Sequence, residues 1–162
     1  LFEKLSLDGF QAGLAWITIL RKRDGFRAAF EGFEPARIAR WGEAEVDRAV
    51  RDPGIVRHRG KIEATIGNAR AWLEIEADQG FSRFLWDYVD GRPLQGNLAS
   101  MAEAQAETPL SREISKALKA RGFRFCGPTI TYAFMQAVGM VNDHLLSCPR
   151  HAEVAAMADA PG

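Results

Sequence analysis

An all-α, single-domain fold is what this sequence predicts, on three observations. Apolar residues recur at helical spacing along most of the chain. No segment alternates apolar and polar residues for long enough to claim a sheet. Glycine and proline signals cut the helical pattern into short pieces. The 162 residues suffice for one domain with an ordinary core, not two. The expected architecture is one compact domain, residues 1–162, of about eight short helices.

The elements follow in order. Leu1, Phe2 and Leu5 open a short helix, which the two glycines of Asp8–Gly13 break. Leu14–Arg23 resumes as a helix with Ile17 and Leu20 inward and a basic end suited to a helix C-terminus. A short helix near Arg27–Phe33 follows, then one after Pro35, where a proline suits the first turn. Glu43–Asp52 puts Val46, Ala49 and Val50 on one face, and the Pro-Gly of Asp52–Gly60 makes a turn. Lys61–Asp78 is the longest helix, with Ile62, Ile66, Ala69 and Leu73 at helical spacing. Phe81–Val89 is an aromatic helix, and the polar stretch Arg92–Pro109 is a loop. Ser111 is a candidate N-cap for a helix to Arg121, with Gly122 as its stop. Pro128–Val138 is the last strong helix, and residues 149–162 read as a variable tail.

Composition excludes several classes. Apolar residues make up 47% and charged residues 26%, which argues against disorder. The 21 Lys and Arg balance 21 Asp and Glu, which excludes a wholly basic nucleic-acid binder but not a basic face. Two cysteines, Cys126 and Cys148, exclude a disulfide-built scaffold and point to a reducing compartment. No apolar run approaches the ~20 residues of a membrane span. Leu1 already stands inside a helical pattern, so a further piece of chain is expected before it.

Three segments carry chemistry. The first is the turn before Lys61, with Arg57, His58, Arg59 and Lys61 beside a helix N-terminus whose N–H groups and dipole favour a phosphate oxygen. A solvated basic turn is the alternative. Lys61 also stands where an amine nucleophile would follow such a turn, with Asp78 downstream, against the simpler role of phosphate contact or first helical residue. The second is Asp8–Trp16, where a carboxylate and a stacking face flank a chain break. The alternative is a core Trp16 and a capping Asp8. The third is Gly139–His151, where His144 and Cys148 at i, i+4 share a face if helical, with His151 and Cys126 as further donors. A helix-end histidine and a buried free thiol are the alternative.

Read together, the strings LDGFQAGLAWITILRKR, GIVRHRGKIEATIGNARA, SKALKARGFRFCGPTITYAFMQA and GMVNDHLLSC resemble the DNA-3-methyladenine glycosylase I family, in the family's order and over about residues 1–148. The resemblance implies a helix-hairpin-helix fold and a bacterial, cytoplasmic, nucleoid-associated base-excision repair enzyme. It would act as a monomer on alkylated double-stranded DNA, with no membrane role, and hydrolytically release a flipped N3-methyladenine. It implies Asp8, where Glu is usual, and Trp16 as base-binding residues. It implies Gln11, Leu14, Gly54, Ile55, Arg57, Arg59, Gly60 and Lys61 as DNA-binding, with Leu14 against the opened stack and Phe10 where Gln is common. Arg21, Lys22 and Arg23 are candidates to extend the phosphate-binding face. It implies His144 and Cys148 as two of four ligands of a structural Zn²⁺, the other two falling in an N-terminal stretch of about thirty residues before Leu1. No catalytic general base is assigned. A non-catalytic helix-hairpin-helix DNA-binding module and a bifunctional glycosylase/lyase using Lys61 are the alternative functions.

Overall fold

A computed structural model describes residues 1–157. Among them ten α-helices follow in order: α1 (Phe2–Gln11), α2 (Trp16–Arg21), α3 (Arg23–Ala29), α4 (Pro35–Ile38), α5 (Glu43–Arg51), α6 (Arg59–Asp78), α7 (Phe81–Trp86), α8 (Pro109–Ala120), α9 (Pro128–Ala137) and α10 (Pro149–Met157). Two-residue strands β1 (Leu94–Gln95) and β2 (Val141–Asn142) pair in parallel, a small element the sequence pattern is too short to signal. No described helix is long and apolar enough to cross a membrane.

α6 is the axle. One part of its surface, Ile62, Ile66 and Ala69, belongs to a core with Phe10, Phe26, Phe30 and Ile38. Ala71 and Ile75 belong to a second core with Phe81, Ile114, Leu118 and Phe134. Trp72 packs against both, and its ring stacks on Phe81 at 3.7 Å. A helix burying residues nearly all round has only a weak apolar stripe, so Leu73, expected inward, is half-buried while Ile75 is fully buried.

Several local expectations change for physical reasons. α1 runs through Asp8 and Gly9 instead of breaking there. Gly9 is held against the Phe125 carbonyl, where a Cβ would stand 3.3 Å from the oxygen, and packing overrides its helix penalty. The break comes at Gln11–Leu14, a type II turn: Ala12 has φ −48°, ψ 120°, Gly13 has φ +76°, and Leu14 N–H donates to the Gln11 carbonyl at 2.7 Å. In α2 the buried residue is Ile19, while Ile17 and Leu20 are exposed. Six residues are too few for periodicity to set the facing. Thr108, not Ser111, caps α8; Ser111 completes a reciprocal capping box from the third position. His144–Cys148 is not helical but turns between β2 and α10.

The turn between α5 and α6 is fixed to α3. The Gly54 carbonyl approaches Gly25 of α3 so closely that a Cβ there would lie 2.4 Å from the oxygen. Gly25→Ala therefore has to part α3 from the turn. Overpacking of this kind costs about 1–3 kcal/mol, so urea titration is expected to show an earlier midpoint with an unchanged slope.

Candidate functional site: an aromatic cleft and a basic turn

A cleft of about 320 Å³ opens between α1 and α2, lined by Leu7, Trp16, Ile19, Leu20, Arg23 and Lys4 among others. Trp16 is the first residue of α2 and is 39% exposed, so part of its aromatic surface faces solvent at the cleft. Asp8 lies on α1 and is only 2% exposed. Its Oδ1 accepts from Lys4 Nζ at 2.5 Å, while Oδ2 is buried without a partner. Burial pushes the Asp8 pKa up, and the Lys4 ammonium pulls part of that shift back. A buried carboxylate oxygen with no donor is costly, and a ligand N–H would satisfy it. Lys4 Nζ also sits 4.5 Å from the centre of the Trp16 ring. The structure thus gathers the two residues that the resemblance implies for base binding around a third group, Lys4, which the sequence analysis did not single out. Its spacing of four from Asp8 was the available signal.

The rim is held by ion pairs. Glu3 accepts from Arg23 at 2.8 Å and from Arg27 at 2.9 Å, tying α1 to α3. These two arginines hold the Glu3 carboxyl below its usual range despite its partial burial. Arg23 is therefore engaged within the protein, as is Lys22, whose Nζ donates to the Pro53 carbonyl at 2.6 Å. Arg21 remains exposed.

The basic turn is more selective than its composition suggested. α6 begins at Arg59, two residues earlier than expected, capped by His58, whose Nδ1 accepts from Lys61 N–H at 3.1 Å. The N–H groups of Arg59 and Gly60 belong to the first turn of a 20-residue helix and have no intrahelical acceptor. Gly54 N–H is taken by Asp52 Oδ1 at 2.7 Å, and Ile55 is buried in the core. Arg59 is paired with Glu43 at 2.5 Å, with Asp47 and with Glu63 at 3.6 Å, so its guanidinium is already neutralised. Arg57 and His58 are exposed.

Lys61 requires correction. Its side chain is buried, and Nζ donates to the carbonyls of Phe10 at 2.8 Å and Ala12 at 2.6 Å. Those carbonyls lie at the C-terminal end of α1, where cations are favoured. Burial pushes the Lys61 pKa down, the direction an amine nucleophile needs. At 7% exposure and with two bonds to backbone, it is neither a phosphate contact nor a reachable nucleophile. Phe10 is likewise core, 4.6 Å from Phe26, and makes no outward contact. A residue the sequence did not flag, Phe125, is 37% exposed at φ +55° and stands 6.2 Å from the His58 ring.

Of the candidate metal donors, Cys148 Sγ and His144 Nδ1 lie 3.9 Å apart, brought together by the turn and not by a shared helix face. With Zn–S ≈ 2.3 Å and Zn–N ≈ 2.0–2.1 Å, a tetrahedral edge is about 3.6 Å, so this pair fits one edge. His151 does not join them, since Nε2 bonds the Gly96 carbonyl at 2.7 Å, and Cys126 is buried in the second core. Among the described residues no group of three or more His, Cys, Asp and Glu converges.

A cleft faced by an exposed tryptophan, and a helix N-terminus with unclaimed N–H groups beside exposed Arg57 and His58, are features that nucleic-acid base-binding proteins use to stack a planar ring and to hold a phosphate. The comparisons narrow that class. The methyladenine glycosylase family model matches residues 1–151. Escherichia coli DNA-3-methyladenine glycosylase 1 is 50% identical over 149 residues, 91% of this chain and 80% of that protein. A crystal structure of a 3-methyladenine DNA glycosylase I superposes with a TM-score of 0.88 at 51% identity, over 91% of this chain and 82% of that one. The Staphylococcus aureus enzyme, solved to explain 3-methyladenine recognition, superposes with a TM-score of 0.88 at 38% identity, over 91% and 79%. This chain belongs to the methyladenine glycosylase family.

Proposed function

We propose that this protein is a base-excision repair glycosylase that releases N3-methyladenine from alkylated DNA by hydrolysing its N-glycosidic bond, with Asp8 and Trp16 as the base site. The observation that carries the assignment of these residues is the buried, unpartnered Oδ2 of Asp8, whose Oδ1 accepts from the same Lys4 ammonium that lies over the Trp16 ring. N3-methyladenine in DNA is cationic, so its bond to the sugar is already weak and the base need not be protonated. The bonding pair of the C1′–N9 bond passes to N9, leaving a neutral base, and water adds to the oxocarbenium-like sugar and loses a proton. The protein extrudes the base, stacks it on Trp16, and favours the charged base over neutral adenine through Asp8. Leu14, 39% exposed on its type II turn, is the side chain assigned here to fill the gap left in the stack.

On the DNA side, the free N–H groups of Arg59 and Gly60, with Arg57 and His58, are the proposed backbone contacts in a helix-hairpin-helix arrangement of α5, the 52–58 turn and α6. Arg57→Ala is expected to weaken duplex binding less than tenfold and to lower the salt slope by about one. A salt titration of binding checks it. The same proposal carries a monomer in the bacterial cytoplasm at the nucleoid. It also includes a structural Zn²⁺ held in part by His144 Nδ1 and Cys148 Sγ, clamping the 144–148 turn and taking no part in the chemistry. The test of function is release of free N3-methyladenine from methylated DNA, with borohydride added in a parallel reaction. Release without a trapped covalent adduct is the expected result. No release would overturn the enzyme reading, and a trapped adduct would overturn the monofunctional one.

A further inference from the structure

The base site already contains a cation. Lys4 precedes Asp8 by one turn of α1, with Nζ 2.5 Å from Asp8 Oδ1 and 4.5 Å from the centre of the Trp16 ring. Lys4 and Trp16 line the cleft, whereas Asp8 does not, so the ammonium stands between the open cleft and the carboxylate. We propose that Lys4 is a resident counter-cation of the base site: it occupies the charged end in the free protein, yields to the cationic base, and returns when the base has become neutral. The inference rests on the reading of Asp8 and Trp16 as the base site.

Such an exchange conserves charge in a buried place. Asp8 is 2% exposed, and an isolated carboxylate there is strongly disfavoured. It needs a positive partner before and after each turnover. An N3-methyladenine nucleotide brings one positive charge, so exchanging Lys4 for it leaves the net charge at Asp8 the same. Neutral adenine brings none, so admitting it means separating an ion pair without compensation. Specificity is thereby built against the undamaged base as well as for the damaged one. Cleavage reverses the exchange. When the C1′–N9 pair moves to N9, the positive charge leaves the base, and Asp8 faces a neutral purine. The Lys4 ammonium is then the stronger partner and displaces the product. The side chain is suited to this motion: it is 30% exposed, carries a flexible four-carbon stem, and makes no other hydrogen bond or ion pair among the described residues.

The test is equilibrium binding of free, radiolabelled 3-methyladenine at neutral pH to wild type, Lys4→Met, Lys4→Gln, Lys4→Arg and Trp16→Ala. Lys4→Met and Lys4→Gln are expected to bind the neutral base about tenfold more tightly, because no ion pair has to be opened. Lys4→Arg, which keeps the charge, is expected to bind close to wild type. Both neutral variants are also expected to release a larger share of adenine from undamaged DNA relative to N3-methyladenine from alkylated DNA. Unchanged or weaker binding in both neutral variants overturns the inference, as does equal tightening in Lys4→Arg. If Trp16→Ala weakens binding while the neutral Lys4 variants match wild type, the base site stands and only the role of Lys4 falls. If Trp16→Ala binds like wild type, the base site itself is misplaced and both readings fall.

Discussion

Asp8→Asn is expected to lose roughly ten- to a hundredfold in kcat/KM for N3-methyladenine release while unfolding at no lower temperature than wild type at neutral pH. The loss follows from removing one charge-assisted contact to the base, about 1.5–3 kcal/mol. The retained stability follows from burial. The Asp8 pKa is raised in the folded protein, chiefly by desolvation and in spite of Lys4. A carboxyl of this kind contributes stability that is fully present below its unfolded pKa and is lost as pH rises through its raised folded value. At neutral pH the ionised group therefore works against folding, and an amide of the same shape relieves it. Lys4, partly exposed, turns to water when its partner is gone. Two readouts check the reasoning. The melting difference between mutant and wild type shrinks as pH falls through the raised value, and wild-type activity falls over the same window as Asp8 loses its charge. A mutant that melts earlier at neutral pH, with activity intact, would show Asp8 to be structural.

The second large effect is expected at Lys61. Lys61→Met keeps the volume of the buried side chain but leaves the carbonyls of Phe10 and Ala12 without their donor. Removing two charge-assisted bonds while recovering the desolvation of the ammonium leaves a cost of about 2–4 kcal/mol. That corresponds to a melting temperature lower by roughly 5–15 °C for a chain of this size. The same bonds join the first turn of α6 to the end of α1, immediately before the type II turn that presents Leu14 and leads to Trp16. Base release is therefore expected to fall below what lost stability explains, measured well under the mutant's melting temperature. A Schiff-base role makes a different forecast: a trapped adduct in wild type that vanishes in a stable mutant.

These two residues also mark how far the sequence could be read. The all-α class followed from periodicity, which is local, and the long helix over α6 was placed to within two residues at its start and to the residue at its end. Asp8 and Trp16 were singled out only through the resemblance carried by the longer strings, since an acid and a tryptophan near a chain break read equally well as a cap and a core residue. Lys61 was misread because a lysine after a basic turn looks the same whether it faces phosphate or two backbone carbonyls 49 and 51 positions earlier. Ile17 and Leu20 were misread for the opposite reason. Apolar residues are expected inward, and here they stay exposed on a helix too short for its pattern to decide.

The sequence by itself determined the helical class, the family, and the residue types available for the proposed base site. Only the tertiary structure decided which cations are free and which are spent. It neutralises Arg59 with three carboxylates, buries Lys61, ties Lys22 and Arg23 inside, and leaves Arg57 and His58 exposed beside unclaimed N–H groups. It also decided that Asp8 meets the world through Lys4. The physical reason is the range of the interactions. Helix propensity and periodicity act within a few residues. The fate of a charge depends on desolvation and on partners that the fold brings from distant parts of the chain.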